Sequence, residues 1–236
     1  MKKIRMLIVV LCCVGIAFGL LVGFKTGSQD DQLRESPVNV LDRFNDEFIG
    51  LDIYDFLEFL PKVNHSERLP IVQAYIAAHP ESIILVVAIQ LRQLGLVPLL
   101  INAGVNLNAR NTYGDSALLA AVKKGDQNLA IGLIDAGVDL NIQDIQRGNN
   151  ALIVASERGY LGVVEALINA GVNLNTRNAQ GDTALMKAVE GNHQEIVMAL
   201  IDAGVNLNIQ DPEGWTALMM AVESNELGVA DALLMA

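Results

Sequence analysis

After Cys13 the chain has no cysteine, after Phe59 no phenylalanine, and after Lys187 no lysine or arginine. The first absence excludes a disulfide or a cysteine metal site from residue 14 onward, so an oxidising compartment would leave that part unchanged. Cys12 and Cys13 themselves sit in an apolar run, and Leu11 rather than a small residue precedes them, which argues against lipid attachment. Histidine is scarce: His65, His79 and His193 are scattered. No glycine-rich phosphate loop opens a helix, and no serine, cysteine or carboxylate motif has catalytic spacing. The expectation is a protein without cofactor, metal or enzyme chemistry. The formal charge is −11, and −14 once Lys2, Lys3 and Arg5 are set aside, which argues against nucleic acid or an anionic membrane surface as the main partner.

What is present begins with a basic Met1–Arg5 and an unbroken apolar run of 19 residues from Met6 to Phe24. As a helix this run measures roughly 28 Å, close to the hydrocarbon thickness of a bilayer. Two readings of residues 1–24 stay open, an uncleaved signal anchor and a cleaved signal peptide. The candidate cleavage pairs, Gly15 with Ala17 and Ala17 with Gly19, lie inside the run, which favours the anchor. Lys2, Lys3 and Arg5 before the run, against Lys25 followed by Asp30 and Asp31 after it, orient the amino end to the cytoplasm. The expectation is a single-pass inner-membrane protein with its folded part periplasmic, or, after cleavage, a soluble periplasmic or secreted one. Gly15, Gly19 and Gly23 make two GxxxG steps on one face, which would let two spans pack as a homodimer. Residues 25–40 read as a polar linker. Residues 41–80 read as a helical amino-terminal cap: four of the six phenylalanines, Phe44, Phe48, Phe56 and Phe59, fall there, Pro61 ends the first run, and a short apolar segment spans Pro70 to His79.

The rest is periodic. Gly104, Gly137, Gly171 and Gly204 each close an apolar run at spacings of 33, 34 and 33, and Ala121, Ala155, Ala188 and Ala221 follow at 34, 33 and 33. In one unit, Thr183 can cap a short helix over Ala184–Glu190, and Gly191 and Asn192 break it. A second helix then runs from about His193 to Ala203, stopped by a left-handed Gly204, and Gly181 suits a tight turn. Neither helix can bury its apolar face alone, so each unit must stack on the next. The stretch Ser82–Gln90 alone would read as a strand, but the repeat register overlays it on a first helix. The fold class expected is an all-α helical solenoid with short β-hairpin-like turns: a divergent repeat over 81–110 and regular repeats over 111–143, 144–177, 178–210 and 211–236. The final unit offers Met220, Glu223, Ser224, Asn225, Glu226 and Asp231 as a partly polar outer face. The stacked asparagines, such as Asn173 and Asn175 or Asn206 and Asn208, are expected to bond backbone and align neighbouring units rather than to bind ions.

These residues resemble the ankyrin repeat, whose period is near 33 and whose first helix carries T-P-L-H-x-A. The helix-opening proline of that motif is replaced by Ala117, Ala151, Ala184 and Ala217, and its histidine by Leu119, Ile153, Met186 and Met219. Apolar packing must therefore replace the histidine's bonds; His193 stands at the family's later Gly-His position, where a structural role is implied. The resemblance also implies a protein partner held on a concave side by turn tips and first-helix ends. Carried onto this chain, those positions are Arg110, Thr112, Tyr113, Asp115, Lys123 and Lys124; Gln146, Arg147, Glu157 and Arg158; Arg177, Gln180, Asp182 and Glu190; and Glu213, Trp215 and Glu223. The row runs from basic to acidic, a gradient able to orient one partner. Reversing the charge of Lys123, Lys124 and Arg158 together is expected to weaken capture without altering stability. Two functions follow: an exported, membrane-tethered adaptor, or a periplasmic inhibitor, immunity or stress-protection factor that binds an enzyme or toxin stoichiometrically.

Overall fold

The computed structural model describes residues 52–63, 65–79 and 83–236. The anchor or signal peptide of residues 1–24, the linker of 25–40, the pairing of Gly15, Gly19 and Gly23, and the first part of the 41–80 cap lie outside the described residues. Among the described residues the secondary structure is helical without strands, and no helix is long and apolar enough to cross a membrane. Contacts sort the chain into two compact units, one reaching to Ala88 and taking in Gln93–Asn106, the other made of Ile89–Arg92 and Leu107–Ala236.

The first unit contains α1 (Ile53–Phe59), α2 (His65–Ala78), α3 (Ile84–Gln90) as far as Ala88, and α4 (Val97–Asn102). Asp52 caps α1 by accepting a bond from the Asp55 amide, and Leu60–Lys62 continues it as a 3-10 turn around Pro61. Phe56, Leu57, Phe59 and Leu60 are buried, with Phe56 stacked on Tyr75 at 3.9 Å and Tyr75 on His79 at 4.4 Å between ring centroids. The segment expected from Pro70 to His79 starts earlier: α2 begins at His65 and carries Pro70 inside it, where the ring removes one backbone donor. The β-branched run expected to be helical is helical, as α3. Its residues Ile84 to Ile89 are all buried, so packing overrides their strand propensity.

In the second unit the helices come in pairs: α5 (Ala117–Lys124) with α6 (Gln127–Asp135), α7 (Ala151–Glu157) with α8 (Leu161–Asn169), α9 (Ala184–Glu190) with α10 (Gln194–Asp202), and α11 (Ala217–Glu223) with α12 (Leu227–Met235). Each first helix opens on a polar cap. Ser116, Asn150, Thr183 and Thr216 accept from the amides of Leu119, Ile153, Met186 and Met219, satisfying donors that a helix start leaves open. First helices pack on first helices and second on second, α5 to α7 to α9 to α11 and α6 to α8 to α10 to α12. Ala121, Ala155, Ala188 and Ala221 occupy equivalent interior sites at 0 % exposure. The alanines standing where the motif has proline are buried too, and Leu119, Ile153 and Met186 supply the apolar packing that replaces a histidine.

The turn between paired helices falls at Gly191 and Asn192, as expected. In the unit of α9 and α10, the left-handed residue is Asn192 at φ +53°, while Gly191 stays helical at φ −80°. One unit earlier the left-handed residue is Gly159 at φ +73°, and a Cβ there would lie 2.6 Å from Cε1 of His193. The His193 ring, with Nε2 3.2 Å from the Glu157 carbonyl oxygen, spans from one unit to the next, the structural role implied for it.

Candidate protein-binding face

Each turn tip is folded by an Asn or Asp side chain. Asn111 Oδ1 accepts from the amides of Tyr113 and Asp115, both at 2.9 Å; Asp144 Oδ1 from Arg147 and Gly148; Asn178 Oδ1 from Gln180 and Asp182; and Asp211 Oδ1 from Trp215. A backbone bond closes each loop, as from Asn111 N to the Asp115 carbonyl, so the tips are hairpin-like without forming strands. Neighbouring tips join through their backbones: Ile145 N donates to Tyr113 O at 3.0 Å, and Ala179 N to Arg147 O at 2.8 Å.

A side-chain ladder runs beside the tips. Arg110 donates from Nε to Gly114 O and from Nη2 to Gln143 O in the next repeat; Gln143 donates to Arg177 O; Arg177 donates to Gly181 O and to Gln210 O. A second ladder uses the asparagines, with Asn108, Asn141 and Asn175 accepting from the amides of Asp139, Asn173 and Asn206. The asparagines therefore align units as expected. Arg110 and Arg177, named above as partner-binding, are engaged in the same work.

Two lysines tie the first helices to the tips. Lys123 Nζ lies 2.6 Å from Asp115 and 2.9 Å from Asp144, a carboxylate of the next repeat, and Lys187 Nζ lies 2.7 Å from Asp182 and 2.8 Å from Glu190. Burial disfavours both ammonium charges, but hydrogen bonds to these carboxylates outweigh it and raise both pKa values above the usual 10.5. Burial likewise pushes the Asp144 carboxyl up, and the Lys123 bond together with the Arg147 and Gly148 amides more than reverses this, leaving its pKa below 3.8. Asp115 and Asp182 are buried in these pairs. Arg158 is exposed but donates from Nη1 to Lys123 O. Lys123 thus serves the fold, and the expectation that reversing it with Lys124 and Arg158 spares stability is overturned: reversal would set a carboxylate against Asp115 and Asp144.

What remains forms a row. The side chains of Thr112, Tyr113, Lys124, Gln146, Arg147, Glu157, Gln180, Glu213 and Glu223 are exposed and, among the described residues, make no hydrogen bond or ion pair within the chain. Glu190 is exposed but held by Lys187, and Trp215 is half-buried. Sequence reasoning missed the exposed apolar side chains of α11: Met219 is 49 % and Val222 61 % exposed, so the last unit is less polar than expected, although Glu223, Ser224, Asn225 and Asp231 are exposed as anticipated. The signal available was that α11 reads ALMMAVE like the buried helices before it.

A family model described as ankyrin repeats in three copies matches residues 85–178 and 152–236. A search of curated proteins found no match. The matched stretches cover more than half of the sequence and coincide with the capped helix pairs, the stacked tips and the buried alanines, and the chain belongs to the ankyrin-repeat family.

Proposed function

We propose that the protein is a membrane-tethered, exported adaptor that holds one protein partner along the row of tips and first-helix ends. Ankyrin repeats imply protein–protein interaction in general and are typically non-enzymatic scaffolds. The observation that carries the finer reading is the division of labour in the row. Arg110, Lys123 and Arg177 spend their polar groups on bonds to the next repeat and Asp115 and Asp182 on ion pairs with lysines of their own first helices, while Tyr113, Lys124, Gln146, Arg147, Gln180 and Glu213 present theirs outward. Tyr113 supplies an aromatic anchor, with Lys124 and Arg147 at one end and Glu213 and Glu223 at the other giving a direction. The apolar run of residues 6–24 supports tethering.

The test is capture from solubilised membranes with the full chain as bait, wild type against Tyr113→Ala with Arg147→Glu. The wild type should retain a stoichiometric partner that the double substitution loses at unchanged melting temperature; equal retention by both would remove this row from the account. The absence of basic residues after Lys187 favours a second reading, in which the acidic end blocks a basic enzyme or toxin as an inhibitor or immunity factor. Under that reading the captured protein is an enzyme or toxin, inhibited one to one.

A further inference from the structure

The end of the second unit departs from every junction before it. Inside the array the next repeat shuts three positions of each first helix from water: Leu118, Leu119 and Val122, then Leu152, Ile153 and Ser156, then Leu185, Met186 and Val189 are all 1 % exposed or less. Of their counterparts, Met219 and Val222 lie open and Leu218 is half-buried, and with Glu213, Gly214, Trp215 and Glu223 they line a cleft of about 570 Å³. The Asp182–Lys187 pair of the preceding repeat is replaced here by Trp215 and Met220. A surface suited to water would not exchange an ion pair for an indole and a thioether. The ladders stop in the same place. Gln143 reaches a carbonyl of the next repeat and Asn175 accepts one of its amides, while among the described residues the side chains of Asn208 and Gln210 make no such bond.

The rim decides what fits. Glu213 and Glu223 flank the apolar floor, with no lysine or arginine beyond Lys187 to neutralise them. A second copy laid face to face would oppose like carboxylates. Inside the array, first helices lie beside first helices, and a lysine of one repeat reaches a carboxylate of the next, Lys123 to Asp144. We propose that this end face continues that interface in trans: it docks an amphipathic helix of a partner protein, whose apolar stripe lies along α11 over Leu218, Met219 and Val222 and whose flanking Lys or Arg meets Glu213 and Glu223. The inference rests on the protein-binding reading above but uses another surface, so substitutions at Tyr113 and Arg147 and substitutions at Met219 and Val222 distinguish the failure of one from the failure of the other.

Trp215 is the single tryptophan of the chain and lies in the cleft, so its fluorescence reports directly on cover. The full chain in neutral-lipid nanodiscs is titrated with two synthetic helical peptides sharing one Leu/Ala stripe, the first flanked by Lys and the second by Glu. The Lys-flanked peptide should produce a saturable, one-to-one blue shift, and the Glu-flanked peptide should bind at least about tenfold more weakly. Met219→Glu with Val222→Glu should abolish the shift at unchanged melting temperature, because both side chains are exposed, whereas Tyr113→Ala with Arg147→Glu should leave it intact. No saturable shift, equal affinity for the two peptides, or retention by the Met219/Val222 variant would overturn the proposal. So would a blue shift that grows with concentration of the chain alone, which would make the occupant a second copy. Emission already blue in the free chain and reddened by Met219→Glu would make it a segment of the chain itself, with the same consequence.

Discussion

Replacing Lys123 by methionine keeps most of the side chain's volume and removes its charge, leaving two carboxylates without their shared counter-ion. Asp144 has a side chain 2 % exposed and Asp115 one 10 % exposed, while the lysine between them is 29 % exposed. Breaking a buried pair by removing one partner costs about 3–5 kcal/mol, and exposed pairs are worth about 0–1 kcal/mol. With water reaching part of the ammonium, the expected loss is about 2 kcal/mol. At about 4 °C per kcal/mol for a unit of this size, the melting temperature should fall by about 8 °C. Circular dichroism melts of the full chain check this against Lys124→Met, an exposed neighbour whose loss should stay within about 0.5 kcal/mol. The pH dependence has a defined sign. Asp144 has a folded pKa below its usual 3.8, so its contribution is complete above 3.8 and is lost as pH falls through the depressed value. The gap between wild type and Lys123→Met should therefore narrow in acid below that point. Lys123, raised above 10.5, contributes below 10.5 and loses its contribution as pH rises through the raised value. If Lys123→Met melts with Lys124→Met at pH 7, or if the gap is the same at pH 7 and in strong acid, the bridge does not hold the junction.

Gly159→Ala should destabilise by about 2 kcal/mol, from the left-handed backbone and the His193 ring together, with about half recovered when His193→Ala clears the space; denaturant titration of the two variants and their combination checks this. Ala188→Leu places three extra carbons at a site with 0 % exposure and should cost about 1–3 kcal/mol in the same assay. Tyr113→Ala and Arg147→Ala, whose side chains make no bond within the chain among the described residues, should each stay within about 0.5 kcal/mol of wild type while weakening partner capture.

Much of the array was legible because its causes are local. A hydroxyl before an alanine-rich run caps a helix wherever it occurs, so Thr183 and the helix Ala184–Glu190 could be read directly, and the period carried the same reading to α5, α7 and α11. The register even corrected the strand-like letters of α3. What escaped was set by neighbours rather than letters. Lys123 and Lys187 do related work from positions that are not equivalent in the repeat, so no alignment of units flags either one, and the reach of Lys123 to Asp144 exists only once two units are stacked. The exposed row named from the family's pattern mixed residues committed to stacking, such as Arg110 and Arg177, with residues that face outward, such as Tyr113 and Arg147. The pattern places side chains on a face but does not say which of them the face consumes. Met219 and Met186 are the same residue at the same position, yet Met186, with a repeat stacked on it, is 1 % exposed and Met219 is 49 % exposed.

The most direct measurement of the central claim is site-specific photo-crosslinking in the cell, with a benzophenone amino acid placed in turn at Tyr113, Gln180 and Glu213 on the row, and at Asp135, Glu165 and Glu195, exposed positions on second helices. The account predicts one common protein crosslinked from the three row positions and not from the second-helix positions. The same protein captured equally from both sets, or from the second helices alone, would contradict it.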